Sequence, residues 1–152
     1  MKSLQESYAP HGRCFGCGPE NEKGLRLRVL PEGDGVRCEF RAEEHHQAFP
    51  GVVNGGIVGT LLDCVSAWSA TWAILRADAE QKLPCVVTAD FHVTFKRPTP
   101  STETVVVKAK PVEQGQNWAI IEATLEASGK VTATCRGKFV AVKEGHPAFH
   151  RW

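Results

Sequence analysis

Residues 50–75 read PGVVNGGIVGTLLDCVSAWSATWAIL, and this stretch decides the fold. A start rich in turn-forming residues gives way to a segment whose apolar side chains cover every side of a helical wheel. A helix that is apolar all round is normally buried. We therefore predict one buried helix over Gly55–Ala77, about 22 residues and roughly 33 Å long.

Segments on both sides of this helix alternate between apolar and polar residues, with the period of two that is typical of strands. Before the helix, residues 25–30 and 36–41 predict a hairpin around a turn at residues 32–35. After it, four more strands are predicted at residues 87–96, 105–109, 119–125 and 131–142. We expect consecutive strands joined by short turns to pair antiparallel.

One helix buried against one curled sheet of five to six strands is an α+β fold. We expect a single domain over residues 1–152, in which residues 1–23 form an N-terminal extension and residues 146–152 an irregular tail. The helix is too apolar to be covered by one sheet alone. Its remaining surface predicts contact with a second subunit, so we expect at least a dimer.

Composition and charge are those of an ordinary globular protein, with 42% hydrophobic and 23% charged residues. The formal net charge of +1 gives no reason to expect binding to nucleic acid or to a membrane surface. The first ten residues contain no apolar run of the kind that marks a secretory signal. No charge-free stretch reaches the length of a membrane span, and we predict a cytoplasmic location.

Asp63 is the only acidic or basic residue between Gly55 and Leu75. A carboxylate on a buried helix is costly unless it is paired or useful, so it is either a structural group or a catalytic one. Asn54 is a good N-cap residue. Gly55 and Gly56 leave the first-turn N–H groups sterically open, which suits a developing oxyanion, although the two glycines could also serve close packing alone.

Gly55 and Asp63 lie eight residues apart, which is about 12 Å along one helix. They cannot flank the same reacting carbonyl within one chain. Two such helices packed antiparallel across a dimer would bring the oxyanion donors of one subunit to the carboxylate of the other. This geometry predicts two sites per dimer, each built from both subunits.

Three segments carry a family resemblance. Residues 46–63, HQAFPGVVNGGIVGTLLD, look like the signature of PaaI-like and THEM-like hotdog-fold acyl-CoA thioesterases. That family usually has His-Gly-Gly, with an acidic residue nine positions after the histidine, and the spacing from Asn54 to Asp63 is the same. Residues 14–25 (CFGCG, then Asn21 and Gly24-Leu25) and residues 87–98 (VTAD to FKRP) also resemble members of the family. The resemblance implies a hotdog fold and hydrolysis of an acyl-CoA thioester to free acid and CoA.

The resemblance also implies roles for particular residues. Asp63 takes the position of the general base or nucleophile, and Gly55, with Gly56 beside it, takes that of the oxyanion-hole N–H. Asn54 replaces the family's histidine, and it cannot exchange a proton at neutral pH. Thr88 takes the position of a hydroxyl that orients the attacking water.

The remaining predicted site residues would bind substrate. Basic side chains that would approach the CoA phosphates, or else lie solvated at strand ends, are Lys96, Arg97, Arg136 and Lys138. His46 and Gln47 lie before the helix, where they would line the pocket, although His46 also suits an ordinary loop position. The asparagine at position 54 leaves one rival function open, a non-catalytic acyl-CoA-binding sensor or scaffold. It argues against another, a hydratase or dehydratase, which usually pairs a catalytic histidine with an acid, but His46 keeps that function open.

The pair Cys14 and Cys17 forms half of a zinc site, which usually has four ligands. Residues that would complete it in principle are His11, Cys38, His45 and His46. Because no second paired motif is present, we expect no metal and no redox cofactor, only the acyl-CoA substrate as a partner beside further copies of the chain. The other four cysteines, Cys64 among them, fall within apolar patterns, where cysteine acts as a small hydrophobe.

Overall fold

The long apolar helix is the centre of the fold in the computed structural model, which describes residues 1–150 and 152. In chain order the helices and strands are α1 (Leu4–Tyr8), β1 (Val29–Glu32), β2 (Gly35–Arg41), β3 (Gln47–Phe49), β4 (Val52–Val53), α2 (Gly55–Ala77), β5 (Val86–Phe95), β6 (Thr104–Gln114), β7 (Trp118–Ala127) and β8 (Lys130–Ala141). A short 3-10 turn at Glu44–His46 precedes β3.

Helix α2 begins where the sequence predicts. Asn54 is its N-cap, and the Asn54 Oδ1 atom accepts a hydrogen bond from the Ile57 N–H group at 3.1 Å. The length and hydropathy of α2 would also suit a membrane span, but 67% of its most apolar window is buried inside the fold. It packs against β6, β7 and β8, which is the behaviour of a core helix.

The main sheet has six antiparallel strands in the order β1-β2-β6-β7-β8-β5. Alternate residues of its central strands face α2 and are fully buried, for example Val107, Ile121 and Phe139. One curled sheet on one buried helix is the hotdog arrangement. The predicted α+β hotdog fold is therefore confirmed.

The pairing of β5 differs from the expectation that consecutive strands are neighbours. β5 pairs with β8 at the edge of the sheet, whereas β6 lies between β2 and β7. The connection after β5 contains Pro98 and Pro100. Contacts of this connection with other parts of the chain prevent β5 and β6 from forming a hairpin. The Thr99 carbonyl accepts the Val53 N–H, and the Thr99 hydroxyl bonds to that of Thr132 at 2.7 Å.

The first strand also differs from its predicted range, because it begins at Val29 and continues through Pro31. Pro31 is tolerated because β1 is an edge strand, where one missing donor costs no ladder bond. The residues before β1 bond instead to the loop that contains Cys14 and Cys17, residues 14–17, called the CxxC loop below. The Leu25 N–H donates to Phe15 O and the Leu27 N–H to Gly16 O, at 2.8 and 3.0 Å.

Residues 1–28 pack onto the same core as the rest of the chain. Ser3 and Glu6 form a capping box at the start of α1. The buried Gln5 side chain accepts the Val29 N–H at 3.0 Å, and Leu4, Cys17 and Leu27 join the main hydrophobic cluster. The CxxC loop is thereby held against α2.

Candidate active site

Asp63 and Thr88 form the chemical centre of the candidate site. Asp63 lies two turns into α2 and Thr88 near the start of β5, where an irregularity in the pairing with β8 follows it. The Thr88 hydroxyl donates to Asp63 Oδ1 at 2.6 Å. A threonine oxygen that donates to a carboxylate still has lone pairs for a water molecule. The pair can therefore hold a water next to a base.

A cavity of about 230 Å³ opens beside this pair. Its walls include the side chain of Trp68, which is only 2% exposed. Further lining residues are Cys14, Cys17, Asp63, Cys64, Ala67, Thr71, Val86, Val87, Thr88 and Trp152. The Asp63 carboxylate thus borders a small, mainly apolar space.

Cys135 is an ionisable neighbour of Asp63 on β8. Burial, and then the negative charge of Asp63, raise the pKa of the Cys135 thiol to about 11. Cys135 is therefore a neutral thiol at neutral pH. It does not compete with Asp63 as a base or as a nucleophile.

The start of α2 forms a second half of the site. Gly55 and Gly56 are exposed, and a Cβ atom at Gly55 would meet only the Phe95 ring, at 3.6 Å. The Ile57 N–H is taken by the Asn54 side chain, and the Val58 N–H bonds to Asn54 O. The N–H groups of the two glycines are thus the first-turn donors that the helix leaves for a ligand.

A cavity of about 390 Å³ lies beside Gly55, with the side chains of Phe49 and Phe95 largely exposed on its walls. Its lining residues are Ala48, Phe49, Val52, Val53, Gly55, Val58, Phe95, Lys96, Arg97, Pro98 and Thr99. Lys96 and Arg97 therefore share one cavity with Gly55. This cavity has no lining residue in common with the cavity of Asp63.

His46 and Gln47 support the backbone around the helix start. His46 is 7% exposed, its Nδ1 atom accepts the Glu43 N–H at 2.9 Å, and burial lowers its pKa. The Gln47 side chain accepts the Gly51 N–H at 2.7 Å and donates to a carbonyl of the 3-10 turn. Neither residue lines the cavity of Asp63 or that of Gly55, and their predicted contact with substrate stays a prediction.

Arg136 and Lys138 lie on β8, on the face of the sheet opposite α2. Arg136 pairs with Glu122 at 2.5 Å, and the Lys138 ammonium lies over the Trp118 ring, 5.1 Å from its centroid. The single chain brings neither of them to Asp63 or to Gly55.

A family profile for the thioesterase superfamily matches residues 50–134, which span the helix start, α2, β5, β6 and β7. The chain belongs to the thioesterase superfamily. Acyl-coenzyme A thioesterase 13 of Homo sapiens is 33% identical over 103 residues, covering 66% of this chain and 69% of that protein. The Mus musculus protein of the same name is 31% identical over 117 residues, covering 76% and 77%.

Solved structures of the same superfamily share the fold of this thioesterase. A thioesterase superfamily protein from Shewanella loihica aligns with a TM-score of 0.68 at 24% identity, covering 92% of this chain and 100% of that chain. Zebrafish thioesterase superfamily member 2 aligns at 0.63 and 25% identity, covering 80% and 89%. The sequence prediction of a thioesterase is confirmed.

Sequence reasoning overlooked Cys64 as a partner of the CxxC pair in this thioesterase. The sulfur atoms of Cys14 and Cys64 are 3.8 Å apart, and those of Cys14, Cys17 and Cys64 all lie within 4.8 Å of one another. Hydrogen bonds from Cys17 and then Cys64 lower the pKa of the Cys14 thiol far below its usual range. The missed signal is that Cys64 follows the site aspartate directly, on a helix to which residues 14–18 return.

Proposed function

We propose that this thioesterase hydrolyses acyl-CoA thioesters in a site shared between two subunits of a homodimer. One subunit contributes Asp63 and Thr88, and the other contributes the N–H groups of Gly55 and Gly56. The observation that carries the proposal is the Thr88–Asp63 pair, which lies in an apolar cavity of its own, two helical turns from the open donors. Acyl-CoA as the substrate follows from the names of the human and mouse relatives.

A second subunit suits the surface around the helix start. β5 is an edge strand of the sheet, and an edge strand is a common place for pairing with another chain. The exposed fractions of the Phe49, Phe91 and Phe95 side chains are 59%, 41% and 57%, which is unusual for aromatic residues unless another surface covers them. Antiparallel contact of two α2 helices here would bring each Gly55 towards the partner's Asp63. A tetramer built as a dimer of dimers is equally compatible.

The proposed chemistry uses groups of the chain and one water molecule. Asp63 removes a proton from water, while the Thr88 oxygen accepts the other hydrogen and fixes the water's direction. The water oxygen attacks the thioester carbonyl, whose negative charge is stabilised by the glycine N–H groups. The C–S bond then breaks, and the proton on Asp63 passes to the departing CoA sulfur. The products are the free acid and CoA, and no step requires a metal or a redox cofactor.

Lys96 and Arg97 supply the positive charge that CoA needs. Both side chains are exposed in the cavity that contains Gly55, so phosphates bound there would place the thioester at the helix start. Arg136 and Lys138 are occupied by Glu122 and Trp118 on the other side of the sheet, and they are the second choice for this role. A cytoplasmic location for this reaction stays a prediction.

The asparagine at position 54 supports one alternative function, that of a non-catalytic acyl-CoA-binding protein. Its side-chain oxygen is used to cap α2, and an amide does not transfer protons at neutral pH. All proton transfer therefore falls to Asp63. If that carboxylate did not act, the chain would bind acyl-CoA without hydrolysing it.

The test is a screen of the purified chain against short, long, aromatic and branched acyl-CoAs, with release of the free thiol as the readout. We expect turnover of at least one acyl class, and a loss of about 10²- to 10⁴-fold in Asp63→Asn. Asp34→Asn is the matched control, because Asp34 is exposed in the turn between β1 and β2 and lines neither cavity. CoA binding without turnover by the wild-type chain would support the non-catalytic alternative, and an active Asp63→Asn variant would refute the role of Asp63.

The two possible roles of Asp63 are separated by a single turnover in ¹⁸O-labelled water. If Asp63 acts as a base, the label enters the product acid in the first turnover. If Asp63 attacks the carbonyl and the resulting anhydride is opened at the Asp63 carbon, the label enters the Asp63 carboxylate instead. Mass spectrometry of the acid and of the peptide that contains Asp63 locates the label. Label in Asp63 establishes attack by its carboxylate, whereas label in the acid alone fits the base route and an anhydride opened at the acyl carbon.

A further inference from the structure

Three cysteines from two distant parts of the sequence converge next to the cavity of Asp63. Cys14 and Cys17 come from the loop that precedes the sheet, and Cys64 comes from α2. Their sulfur atoms lie within 4.8 Å of one another, and no other such group of histidine, cysteine or carboxylate atoms is found in the described chain. Residues His11, Cys38, His45 and His46, which the sequence offers as further ligands, are not part of the cluster.

The spacing of these sulfur atoms fits a tetrahedral metal ion. Zinc–thiolate bonds of about 2.3 Å place two sulfur ligands roughly 3.8 Å apart. The Cys14 and Cys64 sulfur atoms are 3.8 Å apart, and the other two separations are at most 4.8 Å. A contraction of about 1 Å or less would therefore complete three corners of a zinc site.

A hydrogen-bond donor reaches one of these sulfur atoms, as donors do around metal-bound thiolates. The Trp68 indole N–H donates to Cys17 Sγ at 3.3 Å. Such a donor stabilises a thiolate, whereas a disulfide would use two of the three sulfur atoms and leave the third outside the bond.

The loop is built for a close approach to Cys64. A Cβ atom at Gly16 would overlap the Cys64 sulfur, and one at Gly18 would overlap the backbone of Cys14. The Gly18 N–H bonds to Cys14 O at 2.9 Å, and Gly16 O accepts the Leu27 N–H. Backbone bonds thus hold Cys14 and the neighbouring Gly16 in place before any ligand binds, which lowers the cost of ordering a site.

We propose that Cys14, Cys17 and Cys64 form a zinc site that fastens the N-terminal loop to α2. The three cysteines line the same cavity as Asp63, and this cavity offers space for a fourth ligand. Asp63 is not itself within the cluster, and its Oδ1 atom accepts the Thr88 hydroxyl. A water molecule or an external ligand would therefore occupy the fourth position. This site does not depend on the proposed hydrolysis.

The direct test measures zinc in the full chain, purified under reducing conditions, loaded with zinc and then desalted. We expect one zinc per chain in the wild type, its loss in Cys14→Ser, and its retention in Cys85→Ser, whose cysteine is buried outside the cluster. Because Cys14 is exposed, its substitution leaves the core intact. Zinc content equal in the wild type and in Cys14→Ser would overturn the proposal, as would a mass two hydrogens below that of the reduced chain.

A second measurement tests the geometry rather than the stoichiometry. Cobalt in place of zinc should give thiolate-to-metal charge-transfer bands and the visible spectrum of a tetrahedral ion. Trp68→Phe removes the N–H donor to Cys17 while keeping the three thiols, and we expect it to weaken zinc binding about 10- to 100-fold. A cobalt spectrum without thiolate bands, or unchanged affinity in Trp68→Phe, would contradict the ligand set and its hydrogen bonds.

Discussion

Asp63 is placed so that its charge is useful in an otherwise apolar part of the molecule. A carboxylate that loses water needs hydrogen bonds, and the Thr88 hydroxyl provides one at 2.6 Å. The same hydroxyl is the group that can align a water molecule with the carboxylate. In the proposed mechanism one side chain, Thr88, therefore both stabilises the base and positions the attacking water.

Thr88→Val tests this double role, because valine keeps the shape and removes the hydroxyl. Hydrogen bonds to charged groups are worth about 1.5–3 kcal/mol, so we expect turnover to fall roughly 10- to 100-fold. Thr88→Ser, which keeps the hydroxyl, should retain most of the activity. Steady-state thioester hydrolysis by the three proteins gives the comparison, and equal loss in both variants would show that packing rather than the hydroxyl matters.

His46 gives a prediction about stability and pH. Burial, and then the charge of His45, lower its pKa from the ordinary 6.5. Below pH of about 6.5 the unfolded chain therefore binds more protons at this site than the folded chain, and stability falls as the pH falls. Urea unfolding of the wild type should show a larger loss between pH 7.5 and pH 5 than that of His46→Gln. An equal loss in the two proteins would contradict this account.

The predictable residues are those whose neighbours in sequence are also their neighbours in space. Asn54 caps α2 through a bond to Ile57, three residues away, so its role follows from local pattern. Cys64 is different, because its partners are about fifty positions earlier and the approach depends on the path of the whole N-terminal loop. No local periodicity contains that information.

Among the elements, α2 was predictable and the order of the strands was not. The composition and cap of α2 are encoded within its own segment. The place of β5 beside β8 depends instead on where residues 96–103 are anchored, and that is decided by Val53 and Thr132, which are distant in sequence. The alternation of apolar and polar residues shows which face of a strand is buried, but it does not show which other strand lies beside it in the sheet.

The first turn of α2 can be altered without breaking the helix. Gly55 occupies the first helical position, where proline is well tolerated, and the backbone of Asn54 (φ −55°, ψ 136°) suits a residue before proline. Gly55→Pro removes one N–H donor, and we expect a loss of about 10²- to 10³-fold in kcat.

Gly55→Ala is the control for Gly55→Pro, because it keeps the N–H and adds only an ordinary contact with Phe95. Thermal unfolding should show that both variants are folded. Full activity in a folded Gly55→Pro protein would exclude the Gly55 N–H from the oxyanion hole.

At the scale of the whole molecule, one subunit holds the parts of the proposed thioesterase site in two separate cavities. The carboxylate and its threonine line one, and the helix start with Lys96 and Arg97 lines the other. The exposed aromatic side chains around β5 indicate where a second copy would cover the surface. Function on this account is a property of the dimer, although the fold is complete in one chain.

The most direct test of this shared site mixes two inactive variants, Asp63→Asn and Gly55→Pro, under conditions that allow subunits to exchange. A mixed dimer has one site with both substitutions and one site with neither. The account predicts recovery of about a quarter of wild-type turnover, since half of the dimers are mixed and each has one intact site. If the mixture forms mixed dimers and stays as inactive as its two components, Asp63 and Gly55 do not act together across the interface.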